Sequence, residues 1–305
     1  MTKPLTLLTV HAHPDDETIS TGGIMARSAA EGLRVICVTC TDGALGEIVV
    51  PERDTPAEHE RLAETRAGEL ERALAILSPA GAIEQRGLGY RDSGMMGTAG
   101  NEDPRAFWQA DWTEAVGRLV RIVREVRPEV VIGYNEFGGY GHPDHIRAAL
   151  AARDAFEAAG DPAAYPEQLG GDDALEPWAP TKRYETVLQF SRLEELQAEL
   201  AARGIETPWG PREDESAEDR AEREAWLARM AEATGPITTR VDVSGFLGRK
   251  LEALQAHVTQ ISPNHPFVAL GVEAWTRYQP TEDFTLRASR IGVRLPEEDV
   301  FAGLR

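Results

Sequence analysis

Apolar residues follow two different spacings along the first half of the chain, and the alternation between them predicts a succession of strands and helices. Short apolar runs indicate buried strands, whereas apolar positions three and four residues apart indicate helices. The predicted strands are residues 5–10, 33–39, 82–85 and 129–134, and the predicted helices are residues 19–30, 57–77 and 113–126. Strands that alternate with helices form a mostly parallel sheet with helices on both faces, so we predict an α/β fold.

The pattern changes at residues 160–182, which are rich in Gly, Pro and Asp and therefore predict a loop. We place a domain seam there, with one domain at residues 1–180 and a smaller C-terminal α+β region at residues 181–305 that completes the substrate pocket. The charge run at residues 212–224 predicts a solvated helix face. The other predicted elements are strands at residues 184–190 and 237–243, helices at residues 193–202 and 246–257, and a final mixed segment.

Composition narrows the class of protein. The 305 residues are 42% hydrophobic, which is enough for a sizeable core. The net charge of −19 repels nucleic-acid phosphates and anionic membranes, so we expect neither as a partner. No stretch reaches the ~18 apolar residues of a membrane helix, and we expect a cytoplasmic protein. Cys37 and Cys40 lie in a predicted strand and point to opposite faces, so we interpret them as reduced core thiols.

Two histidine-containing stretches lie in the loops that directly follow predicted strands. VHAHPDDETIS, residues 10–20, follows the first strand, and YNEFGGYGHPDH, residues 134–145, follows the strand at residues 129–134. Four of the seven histidines fall in these two stretches. Because open parallel sheets place ligand sites beyond the carboxyl ends of their strands, both stretches should face one crevice.

The residue types in these stretches indicate a divalent metal. A catalytic zinc site uses three protein ligands and keeps one position open, and His13, Asp16 and His145 supply three. Asp15 is then a free carboxylate that could take a proton from the attacking water. His142 could face the substrate, where its charged form would stabilise an oxyanion or protonate a leaving amine. Asp144 could orient one of the imidazoles, whereas His11 ends its strand and is interpreted as a buried structural histidine.

The stretches AHPDDE, residues 12–17, and GGYGHPDH, residues 138–145, resemble the motifs of the zinc-dependent N-acetylglucosaminyl deacetylases of the LmbE-like or PIG-L family. The resemblance covers most of the chain and is greatest to the mycothiol-pathway enzymes. It implies a Rossmann-like fold, a small amino-sugar substrate, and zinc as the cofactor. The roles that it implies are zinc ligands at His13, Asp16 and His145, a general base at Asp15, and stabilisation of the tetrahedral intermediate by His142.

The same resemblance extends to the substrate. It implies that Arg66 and Asp92 hold sugar and inositol hydroxyls and that Tyr140 lies near the oxyanion. An ion pair on a helix surface is the alternative interpretation of Arg66. The stretch RDSGMMGT, residues 91–98, is similar to the GlcNAc-inositol deacetylases, whereas LQAHVTQISPN, residues 254–264, is similar to the mycothiol S-conjugate amidases. The acyl group and the aglycone therefore stay open.

The leading hypothesis is metal-dependent hydrolysis of an amide on an amino sugar, and the resemblance favours N-deacetylation of a GlcNAc-containing conjugate such as GlcNAc-inositol. A conjugate amidase, a deacetylase that tailors a natural product and a non-catalytic sugar-binding module are the alternatives. No G-x-G-x-x-G follows the first strand, which disfavours a dinucleotide oxidoreductase, and no G-x-S-x-G occurs, which disfavours a serine hydrolase.

Fe²⁺ is the alternative metal, because His and carboxylate ligands suit several divalent ions. The oligomeric state is open, and a homo-oligomer is compatible with the sequence. His257 and His265 could reach the site across the seam, but the sequence assigns them no role.

Overall fold

The computed structural model describes residues 4–187, 193–205 and 215–305. Its strands are β1 (Thr6–His11), β2 (Arg34–Thr41), β3 (Ile83–Tyr90), β4 (Val130–Gly133), β5 (Lys182–Val187), β6 (Thr239–Asp242) and β7 (Thr281–Ser289). Its helices are α1 (Asp16–Ala30), α2 (Pro56–Glu60), α3 (Leu62–Leu77), α4 (Trp112–Val126), α5 (Pro143–Ala158), α6 (Leu193–Ala202), α7 (Ala217–Ala233), α8 (Leu247–Gln255) and α9 (Pro266–Tyr278).

The strands form a seven-stranded sheet in the order β3-β2-β1-β4-β5-β7-β6. The first five are parallel, and β7 is antiparallel to both β5 and β6. β1 is central, so that Thr9 lies opposite Cys37 of β2 and Ile132 of β4. Every residue of β1 is buried, as expected for a parallel strand that is covered on both faces. The predicted Rossmann-like α/β fold, with a mostly parallel sheet, is confirmed.

Two apolar layers cover the two faces of the sheet. Residues of α1, α3, α8 and α9 pack on one face and residues of α4 and α5 on the other. Leu7 belongs to the first layer and Leu8 to the second, because neighbouring strand residues point to opposite faces. Cys37 and Cys40 are likewise divided between the two layers and are both free and buried, as predicted.

Two predicted elements differ from the observed ones for local reasons. The helix predicted at residues 57–77 is broken at Arg61, whose backbone leaves the helical region, so that α2 and α3 are separate helices. α2 has no buried residue, whereas the apolar spacing that stabilises α3 begins at Leu62. The weak strand predicted at residues 82–85 continues to Tyr90 as β3. This strand lies at the edge of the sheet and carries Gly and charged residues, which weakens its apolar pattern.

The C-terminal elements extend the same sheet. β5 begins at Lys182 and pairs with β4, so hydrogen bonds cross the predicted seam at residue 180. The division into two domains stays a prediction. Two predicted segments lie partly outside the described residues, namely residues 188–190 of the predicted strand and the start of the charge run. The rest of the charge run lies in α7, which has no buried residue, as a solvated helix requires. Among the described helices, none has both the length and the apolar character of a membrane span.

Candidate metal centre

The two histidine-containing stretches lie side by side at the carboxyl edge of the sheet. β1 leads into His13 and Asp16, and the loop after β4 leads into His142 and His145 at the start of α5. β1 and β4 are neighbours, and the strand order reverses between them, which is where open α/β sheets bind ligands. Both stretches line one cavity of about 670 Å³, so the predicted shared crevice is confirmed.

A tight loop brings the second stretch back to the sheet. Gly138 has a φ of 67°, a conformation that L side chains rarely adopt. A Cβ at this position would lie 2.6 Å from Cβ of His145 and from the backbone nitrogen of Ile146. Pro143 then opens α5 at its first turn, where proline is well tolerated. The loop therefore needs glycine in order to pass directly over His145.

Three side-chain atoms form a nearly equilateral triangle. His13 Nδ1 lies 3.2 Å from His145 Nε2, His145 Nε2 lies 3.3 Å from Asp16 Oδ2, and Asp16 Oδ2 lies 3.4 Å from His13 Nδ1. Tetrahedral ligands at zinc bond lengths of about 2.0–2.1 Å would be separated by about 3.3–3.4 Å. All three residues are buried. The spacing and the donor types therefore fit a tetrahedral divalent metal.

Other combinations of donor atoms are also close together. Ligand atoms of His13, His142 and His145 lie within 4.8 Å of one another, as do those of His13, Asp92, His142 and Asp144. We favour the set that contains Asp16, because its three separations match the edges of a tetrahedron around one ion.

The outer nitrogen of His13 faces two carboxylates. His13 Nε2 lies 3.3 Å from Asp144 Oδ2 and 3.5 Å from Asp92 Oδ1. Burial lowers the pKa of His13, but hydrogen bonds to Asp144, Asp16 and Asp92 outweigh it and raise this pKa well above its usual value. Asp144 accepts hydrogen bonds from the backbone N–H of Ser93 at 2.8 Å and from the Ser93 hydroxyl. Asp144 is therefore placed to orient His13, as the sequence predicts for one of the imidazoles.

Asp15 lies next to this triangle on the cavity wall. Its side chain is 15% exposed, and its Oδ2 accepts a hydrogen bond from Arg66 Nη2 at 3.1 Å. Burial raises the pKa of Asp15 to about 6, and the charge of Arg66 opposes that rise. Arg66 itself is buried and also donates to the carbonyl oxygens of Gly43 and Pro14, at 2.8 Å and 2.6 Å. The alternative interpretation of Arg66 as a helix-surface ion pair is therefore wrong.

His142 and Tyr140 occupy another part of the cavity wall. Burial and the neighbouring His13 and His145 lower the pKa of His142 to about 3. This lowered pKa favours the neutral ring, whereas the charged His142 expected from the sequence stays a prediction. His142 Nδ1 accepts a hydrogen bond from the backbone N–H of Asp144 at 3.2 Å, which assigns the ring proton to Nε2. The Tyr140 hydroxyl lies 3.4 Å from His145 Nε2, beside the triangle.

The remaining predicted side chains lie inside the molecule or at the cavity wall. Asp92 lines the cavity and accepts backbone hydrogen bonds from Gly94 and Leu45, at 2.8 Å and 3.1 Å. His11 is buried, bonds to the Thr21 hydroxyl at 2.9 Å, and has its pKa lowered to about 4 by burial, in agreement with a structural role.

Sequence reasoning missed several residues around the cavity. It assigned no role to Ser93, which lies in a loop but is buried against Asp144. It assigned no role to Glu17, which follows Asp15 and Asp16 in the sequence, or to His257, which bonds to Glu17 at 3.0 Å. The glutamate was visible within AHPDDE, whereas its pairing with a residue 240 positions away was not. Gln260, which lies in the same C-terminal segment as His257, also lines the cavity.

Comparisons with known sequences give a consistent picture. The family model described as "PIG-L: GlcNAc-PI de-N-acetylase" matches residues 8–156. The chain is 44% identical over 311 residues to the 1D-myo-inositol 2-acetamido-2-deoxy-alpha-D-glucopyranoside deacetylase of Geodermatophilus obscurus, covering 100% of this chain and 99% of that protein. It is 42% identical to deacetylase 1 of the same description from Catenulispora acidiphila, covering 98% of this chain and 89% of that protein.

Solved structures share the fold. N,N'-diacetylchitobiose deacetylase from Pyrococcus horikoshii superposes with a TM-score of 0.62 over 93% of this chain and 84% of that chain. The two sequences are 20% identical, so this likeness concerns the arrangement of the backbone alone.

Proposed function

Because the chain belongs to the PIG-L family of GlcNAc-PI de-N-acetylases, we propose that it hydrolyses the acetamide of 1D-myo-inositol 2-acetamido-2-deoxy-alpha-D-glucopyranoside, hereafter GlcNAc-inositol. The products are acetate and the free amino sugar. The substrate proposal is based on relatives of that name that match the chain over its full length. The observation that carries the chemistry is the His13–Asp16–His145 triangle with the separate carboxylate of Asp15 beside it.

The proposed metal is zinc, with Fe²⁺ as the alternative. His13, Asp16 and His145 would hold it through two nitrogens and one oxygen, a donor set that suits either ion. When bound, such an ion polarises the amide carbonyl and lowers the pKa of water from 15.7 to about 7. Asp144 positions His13 for this purpose through the outer ring nitrogen.

Asp15 is the proposed general base. Its carboxylate lines the cavity, is not part of the triangle, and is oriented by the Arg66 guanidinium. From there it can take a proton from the water that attacks the carbonyl carbon. When the C–N bond of the tetrahedral intermediate breaks, the same proton is available to the leaving amine. The side chain therefore ends the reaction in the protonation state in which it began.

His142 and Tyr140 are the proposed donors to the oxyanion. With its proton on Nε2, a neutral His142 ring donates a hydrogen bond from the side that does not face the Asp144 backbone. The Tyr140 hydroxyl lies close enough to the triangle to donate to the same oxygen. Neither donor needs to change its protonation state for this stabilisation.

Arg66 and Asp92 are the proposed contacts for sugar and inositol hydroxyls. Both line the cavity, and hydrogen bonds to Gly43, Pro14 and Asp15 hold the Arg66 guanidinium in place there. Asp92 accepts backbone hydrogen bonds that fix its carboxylate in place. Hydroxyl groups can both donate to such a carboxylate and accept from a guanidinium, so this pair suits a polyol. The two relatives described above are named as deacetylases, and we therefore prefer this reaction to conjugate amide hydrolysis.

The test is a substrate panel with metal-loaded protein. GlcNAc-inositol and a mycothiol S-conjugate are incubated separately, and primary amine and acetate are both quantified. We expect equal amounts of amine and acetate from GlcNAc-inositol, loss of both with a chelator, and recovery when zinc is restored. Asp15→Ala should lower kcat at least about 100-fold, in line with the loss of a general base. The exposed carboxylate of Asp173 provides the control, because Asp173→Ala removes an acid outside the cavity. Amine release from the conjugate alone would overturn the substrate proposal, and unchanged turnover in Asp15→Ala would overturn the base.

A further inference from the structure

Asp15 has an unusual backbone conformation. Its φ is 121° and its ψ is −33°, a region that residues other than glycine rarely adopt. Such conformations persist only where the surrounding structure holds them, and they concentrate at functional sites. The Asp15 carbonyl accepts hydrogen bonds from Thr18 and Ile19 at the start of α1, at 3.0 Å and 3.1 Å. Those bonds hold the carbonyl group of Asp15. Its backbone N–H needs a separate partner.

The position of Asp15 makes the direction of its side chain informative. Asp15 is the N-cap residue of α1, where an aspartate normally turns its carboxylate back onto the first N–H groups of the helix. Its side chain makes no such capping bond. Instead the carboxylate lies against Arg66 on the cavity wall. The unusual backbone angles thus accompany a carboxylate that is free for the substrate.

Glu17 supplies the partner on the other side of Asp15. Its Oε2 accepts the Asp15 backbone N–H at 2.9 Å, and its Oε1 accepts hydrogen bonds from the Thr18 hydroxyl and from His257 Nε2, the latter at 3.0 Å. The Glu17 side chain is fully buried. A buried carboxylate with fixed donors on both oxygens cannot rotate away from the Asp15 N–H without leaving a charge unpaired.

His257 holds Glu17 from the C-terminal region. It follows α8, is fully buried, and its Nδ1 has no hydrogen-bond partner in the part of the chain that the structure describes. Glu17 is the partner of its other nitrogen. Thr259, two residues further on, donates to Glu69 of α3 from its backbone N–H at 2.9 Å and from its hydroxyl at 2.7 Å. The segment that carries His257 is therefore anchored independently of Glu17.

We propose that Glu17 and His257 are positioning residues that hold the Asp15 backbone in its unusual conformation, so that the Asp15 carboxylate faces the reacting atoms instead of capping α1. His257 acts through Glu17, and Glu17 acts through the Asp15 N–H. The inference rests on the proposed function of Asp15 as the general base. A purely structural role, in which the pair only fastens the C-terminal region to α1, is the competing explanation.

Kinetics of His257 variants separate the two explanations. His257→Ala should lower kcat about 10- to 100-fold, the usual effect of losing an outer partner of a site, with KM within about twofold and an unchanged metal content. His257→Gln should recover most of the activity, because its amide can donate from nearly the position of Nε2. His265→Ala is the matched control, since His265 is a mostly buried histidine of the same region that bonds to Phe267 outside the cavity.

A double variant tests whether His257 acts through Asp15. If it does, Asp15→Ala/His257→Ala should have the same kcat as Asp15→Ala, because the base that His257 positions is already missing. Losses that multiply in the double variant would overturn the inference. So would a His257→Ala protein whose KM rises while its kcat stays unchanged.

Amide hydrogen exchange at Asp15 supplies a readout that does not need turnover. Exchange should be at least about tenfold faster in Glu17→Ala and His257→Ala than in the unmodified protein, and unchanged in His257→Gln and His265→Ala. Unchanged exchange in His257→Ala would overturn the inference even if activity fell. If the unmodified protein releases no amine from any substrate, the proposed function fails, whereas the exchange experiment still decides whether the pair holds Asp15.

Discussion

Ser93 lies behind the candidate metal centre and does not line the cavity. Its backbone N–H and hydroxyl both donate to Asp144, which faces His13, and its hydroxyl also accepts the backbone N–H of Trp108 at 2.9 Å. Ser93→Ala keeps the backbone bond but removes the other two. Because outer partners of metal ligands commonly change affinity about 10- to 100-fold, we expect zinc affinity to fall about tenfold, measured by competition with a chromogenic chelator.

The control for this prediction is a serine in a different setting. Ser216 caps the solvated helix α7, so Ser216→Ala should leave zinc affinity unchanged while slightly lowering stability. Equal zinc affinity in Ser93→Ala and the unmodified protein would mean that the backbone bond alone orients Asp144.

Side chains of the two motifs could be predicted from the sequence because motif spacing and strand order bring them together. His13 and His145 are 132 positions apart, yet both follow parallel strands that are neighbours in the sheet. Because the carboxyl ends of such strands meet at one edge of the sheet, the two histidines are expected to lie close together. The contact between Glu17 and His257 depends on how α8 packs against α1, which no local spacing encodes. The lowered pKa of His142 was also beyond the sequence, because it depends on burial and on the neighbouring His13 and His145.

The loop between β4 and α5 is the element that joins the two halves of the centre. Gly138 and Gly139 both have positive φ, but a Cβ at Gly138 would meet His145, whereas a Cβ at Gly139 has nothing within 4 Å. Alanine in this backbone region costs about 1–2 kcal/mol, so Gly139→Ala should lower the free energy of unfolding by that amount, and Gly138→Ala should lower it further because of the clash with His145. Only Gly138→Ala should also reduce bound zinc, measured by elemental analysis after dialysis. An equal loss of zinc in both variants would show that loop strain, and not the clash with His145, controls the centre.

The start of α9 gives a prediction about pH. His265 caps this helix by accepting the Phe267 N–H on its Nδ1, and burial lowers the pKa of His265 below its usual value. The unfolded chain therefore takes up a proton at a higher pH than the folded chain does. Stability should fall as the pH drops below the ordinary histidine pKa of about 6.5, and this loss should level off below the folded pKa.

Asn is a good N-cap residue that does not titrate, so His265→Asn isolates this contribution. We expect the free energy of unfolding of the unmodified protein, relative to that of His265→Asn, to decrease between pH 7 and pH 5 in urea titrations. A constant difference between the two proteins across that range would contradict the assignment.

Elements with regular apolar spacing were located well from the sequence, and the exceptions have physical causes. α1 begins earlier than residue 19 because its first turn carries the acids of the candidate centre and not apolar residues. β3 was predicted too short because an edge strand with exposed polar residues and two glycines lacks a buried pattern. The charge run at residues 212–224 predicted only the start of α7, since a helix without a buried face has no apolar spacing from which its end could be located.

The whole molecule depends on one sheet that crosses the predicted seam. β5 pairs with β4 from Lys182 onward, and α8 and α9 share an apolar layer with α1 and α3. Lys182 is fully buried and bonds to Glu297 at 2.5 Å, which also ties the end of the chain to β5. Region 181–305 also supplies His257, the partner of Glu17, and Gln260 of the cavity wall. We therefore expect the C-terminal region to be required for both folding and function.

A fragment of residues 1–180 would expose the β4 edge and the apolar layer on α1 and α3. Unpaired edges and exposed apolar surface favour aggregation over a native state. The full chain should therefore unfold in urea with the same midpoint by tryptophan fluorescence and by far-ultraviolet circular dichroism. The fragment should lack a native near-ultraviolet spectrum and bind no stoichiometric zinc. Two separated transitions in the full chain, or a fragment that folds and holds one zinc ion, would instead mean that the first 180 residues are an independent domain to which the C-terminal region adds only part of the cavity wall.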